Sequence, residues 1–264
     1  MVDFEKNLAL MDRPEVLDRL FFPRRESDLT NVPNAVTVRI VVEASISIGC
    51  RFYPAHPDDP NILYFHGNGE TVPDYDYEAH LYRKRGLNLF VADYRGYGFS
   101  DGEPSCSAMI KDTHPIFRGF KDLLAERAFT GPLFVMGRSL GSAPAIELAY
   151  HYQAEVKGLI VESGFASGRN QFRRIGVSDL FADDAVGFGN DVKIREVKVP
   201  TLIIHGEQDM IIPASEGHAL LKLSAASKRF SLFVSGAGHN DLMVEAMDDY
   251  MSAVQGFCRQ GAVQ

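Results

Sequence analysis

Leu133-Phe134-Val135-Met136-Gly137-Arg138-Ser139-Leu140-Gly141-Ser142 decides the reading of this chain. An apolar run, Leu133–Met136, ends in Gly-Arg-Ser-Leu-Gly and opens directly into a helical pattern over Leu140–Tyr152. The pentapeptide fits G-x-S-x-G. Chance alone supplies that pattern in about one such chain in eight, so the five letters are weak without their setting. The setting is strand, sharp turn, helix, which a nucleophile elbow requires. Side chains at the flanking glycines would strike the neighbouring strand and helix backbones. The helix N-terminus then points free N–H groups and partial positive charge at Ser139. Ser142, one turn on, reads as filler of the first turn.

Outward from this stretch, short β-branched or aromatic runs alternate with helical ones. The runs are Val36–Val42, Ser45–Tyr53, Ile62–Phe65, Leu87–Ala92, Leu133–Met136, Gly158–Val161, Leu202–Ile204 and Phe230–Val234. From the third onward most are nearly all apolar, as strands buried on both faces are. Helical patterns cover Asp74–Arg85, Ala108–Glu126, Leu140–Tyr152, Ser215–Ala225 and Asp241–Cys258. The alternation predicts an α/β fold: a mostly parallel, eight-stranded sheet with helices on both faces and right-handed crossovers. No helix separates the first two runs, so they are expected as an antiparallel hairpin at the sheet edge. Residues 1–35 form a polar, helix-prone extension broken by Pro33, and 36–264 the main domain. Between Val161 and Thr201 the connection is long and rich in Gly, Phe, Asp and Arg. Such connections are often functional, so residues 163–199 are expected to be a lid or cap. An ordinary crossover helix with loose ends is the plain alternative.

Composition sets bounds. The chain has 264 residues, 45% hydrophobic and 23% charged, as one soluble globular domain would be. A net charge of −8 argues against a nucleic-acid partner. Three scattered cysteines, Cys50, Cys106 and Cys258, make neither a disulfide framework nor a zinc motif. No signal peptide and no transmembrane segment are legible, so a cytoplasmic location is expected.

A serine hydroxyl needs a base to take its proton. Of eight histidines, His56, His80, His114, His151 and His218 read as surface residues. His66 and His205 each end a buried strand and precede a glycine. His239, in Ser235-Gly236-Ala237-Gly238-His239-Asn240, leaves the last strand on a glycine-rich loop and is the candidate base. Asp209, closing the run Leu202–Asp209, is the candidate acid that fixes the histidine tautomer, with Glu207 the runner-up. Asp209 alternatively caps a helix. The order Ser139, Asp209, His239 is that of α/β-hydrolases rather than of the two well-known protease folds. Carbonyl attack also needs two N–H donors. Leu140, after the nucleophile, supplies one. The turn His66-Gly67-Asn68-Gly69 supplies the other, from Asn68 or its neighbour Gly69. That turn lacks the Gly-Lys-Ser/Thr of a phosphate-binding loop.

Several motifs together carry a resemblance. They are His66-Gly67-Asn68-Gly69, Asp93-Tyr94-Arg95-Gly96-Tyr97-Gly98-Phe99-Ser100, Gly137–Ser142, His205-Gly206-Glu207-Gln208-Asp209 and Gly238-His239. From Val36 to Cys258 the chain resembles the Bem46-like branch of the α/β-hydrolases. The resemblance implies the fold, a Ser–His–Asp triad, and ester or thioester hydrolysis without metal or other cofactor. It also implies that the Asp93–Ser100 loop supports the site from below. The chain departs from the family at Glu70, where a small residue is usual. A carboxylate there would weaken an oxyanion hole, so Glu70 is expected to face away or bind an arginine. The N-terminal cysteine cluster of the members that remove acyl chains from protein cysteines is missing.

The expectation is a serine hydrolase acting on a small-molecule or acylated substrate through an acyl-enzyme. A peptidase or acyltransferase on the same triad, or a non-catalytic binding module, are the rivals. Arg138, Arg169, Arg173 and Arg174 could greet an anionic group or simply pair with the surplus acids. Phe165, Phe172, Phe181 and Phe188 could line an acyl pocket or pack a lid against the core.

Overall fold

The computed structural model describes residues 3–27, 32–181 and 187–261. Among them, eight strands form one sheet: β1 (Val36–Glu43), β2 (Ile46–Tyr53), β3 (Asn61–Phe65), β4 (Asn88–Ala92), β5 (Leu133–Arg138), β6 (Val156–Glu162), β7 (Thr201–Gly206) and β8 (Arg229–Val234). The spatial order is β1-β2-β4-β3-β5-β6-β7-β8. The β1–β2 hairpin lies antiparallel at one edge, and β2 also runs antiparallel to β4. Every other pairing is parallel. The order doubles back at β3 and β4, and β3 lies beside β5. Phe65 is thereby paired with Gly137, which brings the turn after β3 next to the elbow.

Period-two alternation along each central strand divides the core in two. Leu63, Phe65, Val135, Leu159, Val161 and Ile203 face one side. There they pack on α4 (Cys106–Glu126) and α5 (Ser142–His151), and the core on that side also takes in α1 (Phe4–Met11) and α2 (Pro14–Leu20). Ile62, Tyr64, Phe134, Met136, Ile160 and Leu202 face the other side, against α3 (Tyr75–Lys84) and α9 (Leu242–Gln260). A strand buried on both faces has no reason to alternate polar with apolar, which is why these runs read as continuous hydrophobes. Each fully buried Leu, Ile or Phe contributes about 1.5–3 kcal/mol.

The long connection after β6 carries α6 (Gly168–Arg174), a 3₁₀ turn over Ser178–Leu180 and α7 (Asn190–Lys193). Part of the expected lid, residues 182–186, lies outside the described residues. Phe165, Phe172 and Phe188 are buried in the core, and Phe181 stacks on Phe172 with ring centroids 3.9 Å apart. The helix α8 (Ala214–Leu223) follows β7. The N-terminal segment is part of the packed domain. Leu8, Met11, Val16, Leu20 and Phe21 are buried. Beyond them the chain lies along the loop after β4, with Gly98 N donating to Arg24 O at 2.8 Å and Glu26 N to Gly98 O at 2.9 Å. Among the described residues no helix is long and apolar enough to cross a membrane.

Candidate active site

The strand β5 ends at Arg138, and a tight 3₁₀ turn, Ser139–Gly141, leads into α5. Ser139 has φ +51°, a left-handed conformation that a non-glycine residue holds only under tertiary constraint. Two glycines make the turn possible. A Cβ on Gly137 would lie 2.0 Å from Gly141 O, and one on Gly141 would lie 2.1 Å from Phe65 O. Both obstacles are backbone, which cannot step aside as a flexible side chain can. The strained turn lifts Ser139 out of the sheet at the carboxyl ends of the strands.

His239 comes from the loop after β8, and Asp209 from the loop after β7. His239 Nε2 lies 2.9 Å from Ser139 Oγ, and His239 Nδ1 lies 2.6 Å from Asp209 Oδ2. A carboxylate only accepts, so Nδ1 carries the proton and Nε2 is left to receive the serine hydroxyl. Burial alone would raise the Asp209 carboxyl. Hydrogen bonds from His205 and His239 and from the Ile212 amide outweigh it and hold the group well below the usual carboxylate range. Asp209 Oδ1 accepts the N–H groups of Ile211 and Ile212 at 2.8 and 2.7 Å. His205 Nε2 approaches Oδ2 at 3.3 Å while lying 2.8 Å from Ile212 O. Asp209 is thus locked in place on both oxygens. The runner-up Glu207 takes no part in this relay.

The turn after β3 presents Asn68 beside the elbow. Its side chain is fully engaged: Oδ1 accepts from Phe22 N at 3.0 Å and Tyr97 OH at 2.6 Å, and Nδ2 donates to Leu20 O at 2.6 Å. The backbone N–H groups of Asn68 and Leu140 form no hydrogen bond among the described residues. The two expected donors are therefore available beside Ser139. The loop after β4 holds this turn from beneath. Asp93 Oδ1 accepts Val72 N at 2.8 Å and lies 3.1 Å from His66 Nε2, and Tyr94 OH donates to His66 O at 2.6 Å.

Glu70 binds an arginine, one of the two outcomes expected of it. Its carboxylate binds the Arg138 guanidinium and accepts Gly67 N at 2.7 Å and Tyr75 OH at 2.6 Å. Arg138 also donates to Glu162 at 3.1 Å, to His239 O at 2.9 Å and to Asn240 Oδ1 at 2.8 Å. The residue before the serine thus grips the loop that carries the histidine. Arg174 pairs with Glu216 at 3.0 Å, and Arg173 donates to Asn170 Oδ1 at 3.3 Å. Arg138 and Arg174 thus already have carboxylate partners.

Ser139 and Leu140 open into a cavity of about 560 Å³. Asn68, Leu20 and Phe22 line it along with Ile175 and Ile212, and Met210 and Ile211 stand at its exposed rim. Two of these walls escaped the sequence reading. Leu20 and Phe22 belong to the N-terminal segment, which carries no motif. The Arg138–Glu162 link joins residues that are in register on adjacent strands, a relation visible only once the strands pair.

The serine aminopeptidase S33 family (Hydrolase_4) matches residues 56–182. The human α/β-hydrolase domain-containing protein 17B is 30% identical over 221 residues, covering 82% of this chain and 72% of that protein. The lysophosphatidylserine lipase ABHD12 of Danio rerio is 31% identical over 189 residues, 64% of this chain and 48% of its own length. The Pyrococcus furiosus esterase Pf2001 shares the fold, with TM-score 0.72 and 16% identity over 90% of this chain and 98% of that one.

Proposed function

The chain belongs to the α/β-hydrolase family, and from that premise we propose that it cleaves carboxylic ester or thioester bonds through an acyl-enzyme on Ser139. The observation that carries the reading is the unbroken relay Ser139 Oγ, His239, Asp209 at the floor of an apolar-walled cavity. In the first half-reaction His239 Nε2 takes the Ser139 proton as Oγ attacks the carbonyl carbon. The N–H groups of Leu140 and Asn68 stabilise the oxyanion, and losing one such donor costs about 10²–10³ in rate. Asp209 stabilises the imidazolium. The imidazolium protonates the departing alcohol or thiol as the C–O or C–S bond breaks. Water repeats the sequence on the acyl-enzyme and regenerates Ser139. Leu20, Phe22, Ile175 and Ile212 offer apolar surface to the acyl part of a substrate. Gln171, Arg174 and Ile175 also border the cavity, and in this reading residues 163–199 act as its lid.

A fluorophosphonate probe tests the proposal. It should label the folded protein on Ser139, and a panel of p-nitrophenyl esters and acyl thioesters should be turned over. A folded protein that takes no label at Ser139 would overturn the reading.

A further inference from the structure

A second cluster lies at the far end of α5 from Ser139. Glu147 and His151 share one face of that helix at i and i+4, and His114 reaches them from α4. His151 Nε2 is 2.9 Å and His114 Nε2 3.6 Å from the same carboxylate oxygen, Glu147 Oε1. All three ligand atoms fall within 4.8 Å of one another. We propose that His114, Glu147 and His151 bind a first-row transition-metal dication, with Zn²⁺ the ion the arrangement fits.

The plain alternative is an ion-pair cluster, and the details tell against it. Glu147 already has its countercharge: Lys193 Nζ sits 2.6 Å from the other oxygen, Oε2. Lys193 is itself held there, donating to Phe188 O at 2.7 Å and lying 4.8 Å from the Phe4 ring centroid. Oε1 is left to two imidazoles where charge balance calls for none. The rings meet nearly edge to face, at 77°. His114 Nδ1 is 3.0 Å from the Tyr152 hydroxyl, which fixes the ring and turns Nε2 toward Glu147. Outer partners of this kind, one on an imidazole and one on a carboxylate, are what orient the ligands of a metal.

The spacing also suits the ion. Metal–ligand bonds of about 2.0–2.1 Å in a tetrahedron put ligand atoms about 3.3 Å apart. The observed separations of 2.9 and 3.6 Å straddle that value, and half-exposed His151 can swing to close the third edge. Two imidazoles and one carboxylate suit Zn²⁺ rather than Ca²⁺ or Mg²⁺. Three protein ligands leave a fourth position for water. It faces a cavity of about 640 Å³ walled partly by Phe4, Leu8 and Ile110. His151 is the last residue of α5, where the carbonyl ends of the helix favour a cation. The site is remote from the hydrolase cleft, since ten residues of helix span about 15 Å. It therefore stands whether or not Ser139 is catalytic.

The test uses the full chain, free of any affinity tag and stripped with chelator. Isothermal titration with Zn²⁺ should saturate at one equivalent, and Co²⁺ should develop the visible absorption of a four-coordinate site. His151→Gln and His114→Gln, each checked for native circular dichroism and for unchanged probe labelling of Ser139, should each weaken Zn²⁺ binding by at least about tenfold. Absence of saturable binding, or weakening of less than about tenfold in either variant, overturns the proposal.

Discussion

Ser139 holds a backbone angle that its side chain resists, and the fold spends stability to keep it there. Replacing its hydroxyl removes the nucleophile without relieving that angle. Ser139→Ala should lower turnover of p-nitrophenyl esters by about 10⁴–10⁶, because the relay works as a unit. Asp209→Asn should cost about 10⁴ in kcat with little change in KM, since an amide leaves the histidine in the wrong tautomer. Steady-state kinetics on the two variants checks both. Glu78 offers a different prediction. Burial, followed by the carboxylates of Glu162 and Glu70, pushes its carboxyl up from the usual 4.5 to about 7, although Arg138 opposes them. A raised carboxyl binds more protons folded than unfolded, so its contribution to stability falls as pH climbs from about 4.5 to 7. Glu78→Gln should therefore raise Tm by about 2–4 °C at pH 8 and change it little at pH 5, read by thermal melts at the two pH values.

At the scale of elements, the elbow works because β3, β5 and α5 approach more closely than side chains allow. Gly141→Ala would put a methyl against the backbone of β3 at Phe65. Forced apart, strand and helix should lose about 1–3 kcal/mol, and Ser139 should leave hydrogen-bond reach of His239. Thermal melts and the rate of probe labelling check this together, and both should fall. How much was legible follows from the same geometry. Ser139 could be read because its signal is local, a pentapeptide between a strand pattern and a helix pattern. Asp209 and His239 could be read because each follows a strand whose apolar run announces where the carboxyl end lies. The strands were placed to within a few residues for the same reason, being buried on both faces. The pairing of Arg138 with acids was legible; its hold on the histidine loop was not. It was read as a contact for an anionic group or a partner of the chain's surplus acids, and it binds Glu70 and Glu162. Its bond to His239 O joins residues 101 apart, and that follows from strand order rather than from local pattern. The short helices α6 and α7 were missed because seven and four residues are too few to show a periodicity.

Taken whole, the molecule is closed by its N-terminal segment. The segment reaches the insertion after β6 through Arg13 and Arg19, which donate to Leu180 O at 3.1 Å and Gly176 O at 2.5 Å. It reaches the turn after β3 through Leu20 and Phe22, and two distant parts of the cleft are thereby tied together. Asn68→Ala keeps the backbone N–H but severs the side-chain bonds to Leu20 O, Phe22 N and Tyr97 OH. At about 1 kcal/mol for each, Tm should fall by about 6–12 °C. Esterase activity should also be lost at a lower temperature than the global fold, as parallel activity and circular-dichroism melts would reveal. The sequence hid this part because its meaning lies in what it touches.

That segment also has a history within each molecule. Residues 4–22 are synthesised long before the groups that hold them, since Gly176 follows Arg19 by 157 residues. At about 5–20 residues per second on the ribosome, the wait is roughly 8–30 s. During that time Leu8, Met11, Val16, Leu20 and Phe21 have no completed surface to cover. The nascent chain therefore carries this apolar stretch uncovered, and the last wall of the cleft is set only after most of the chain has been translated.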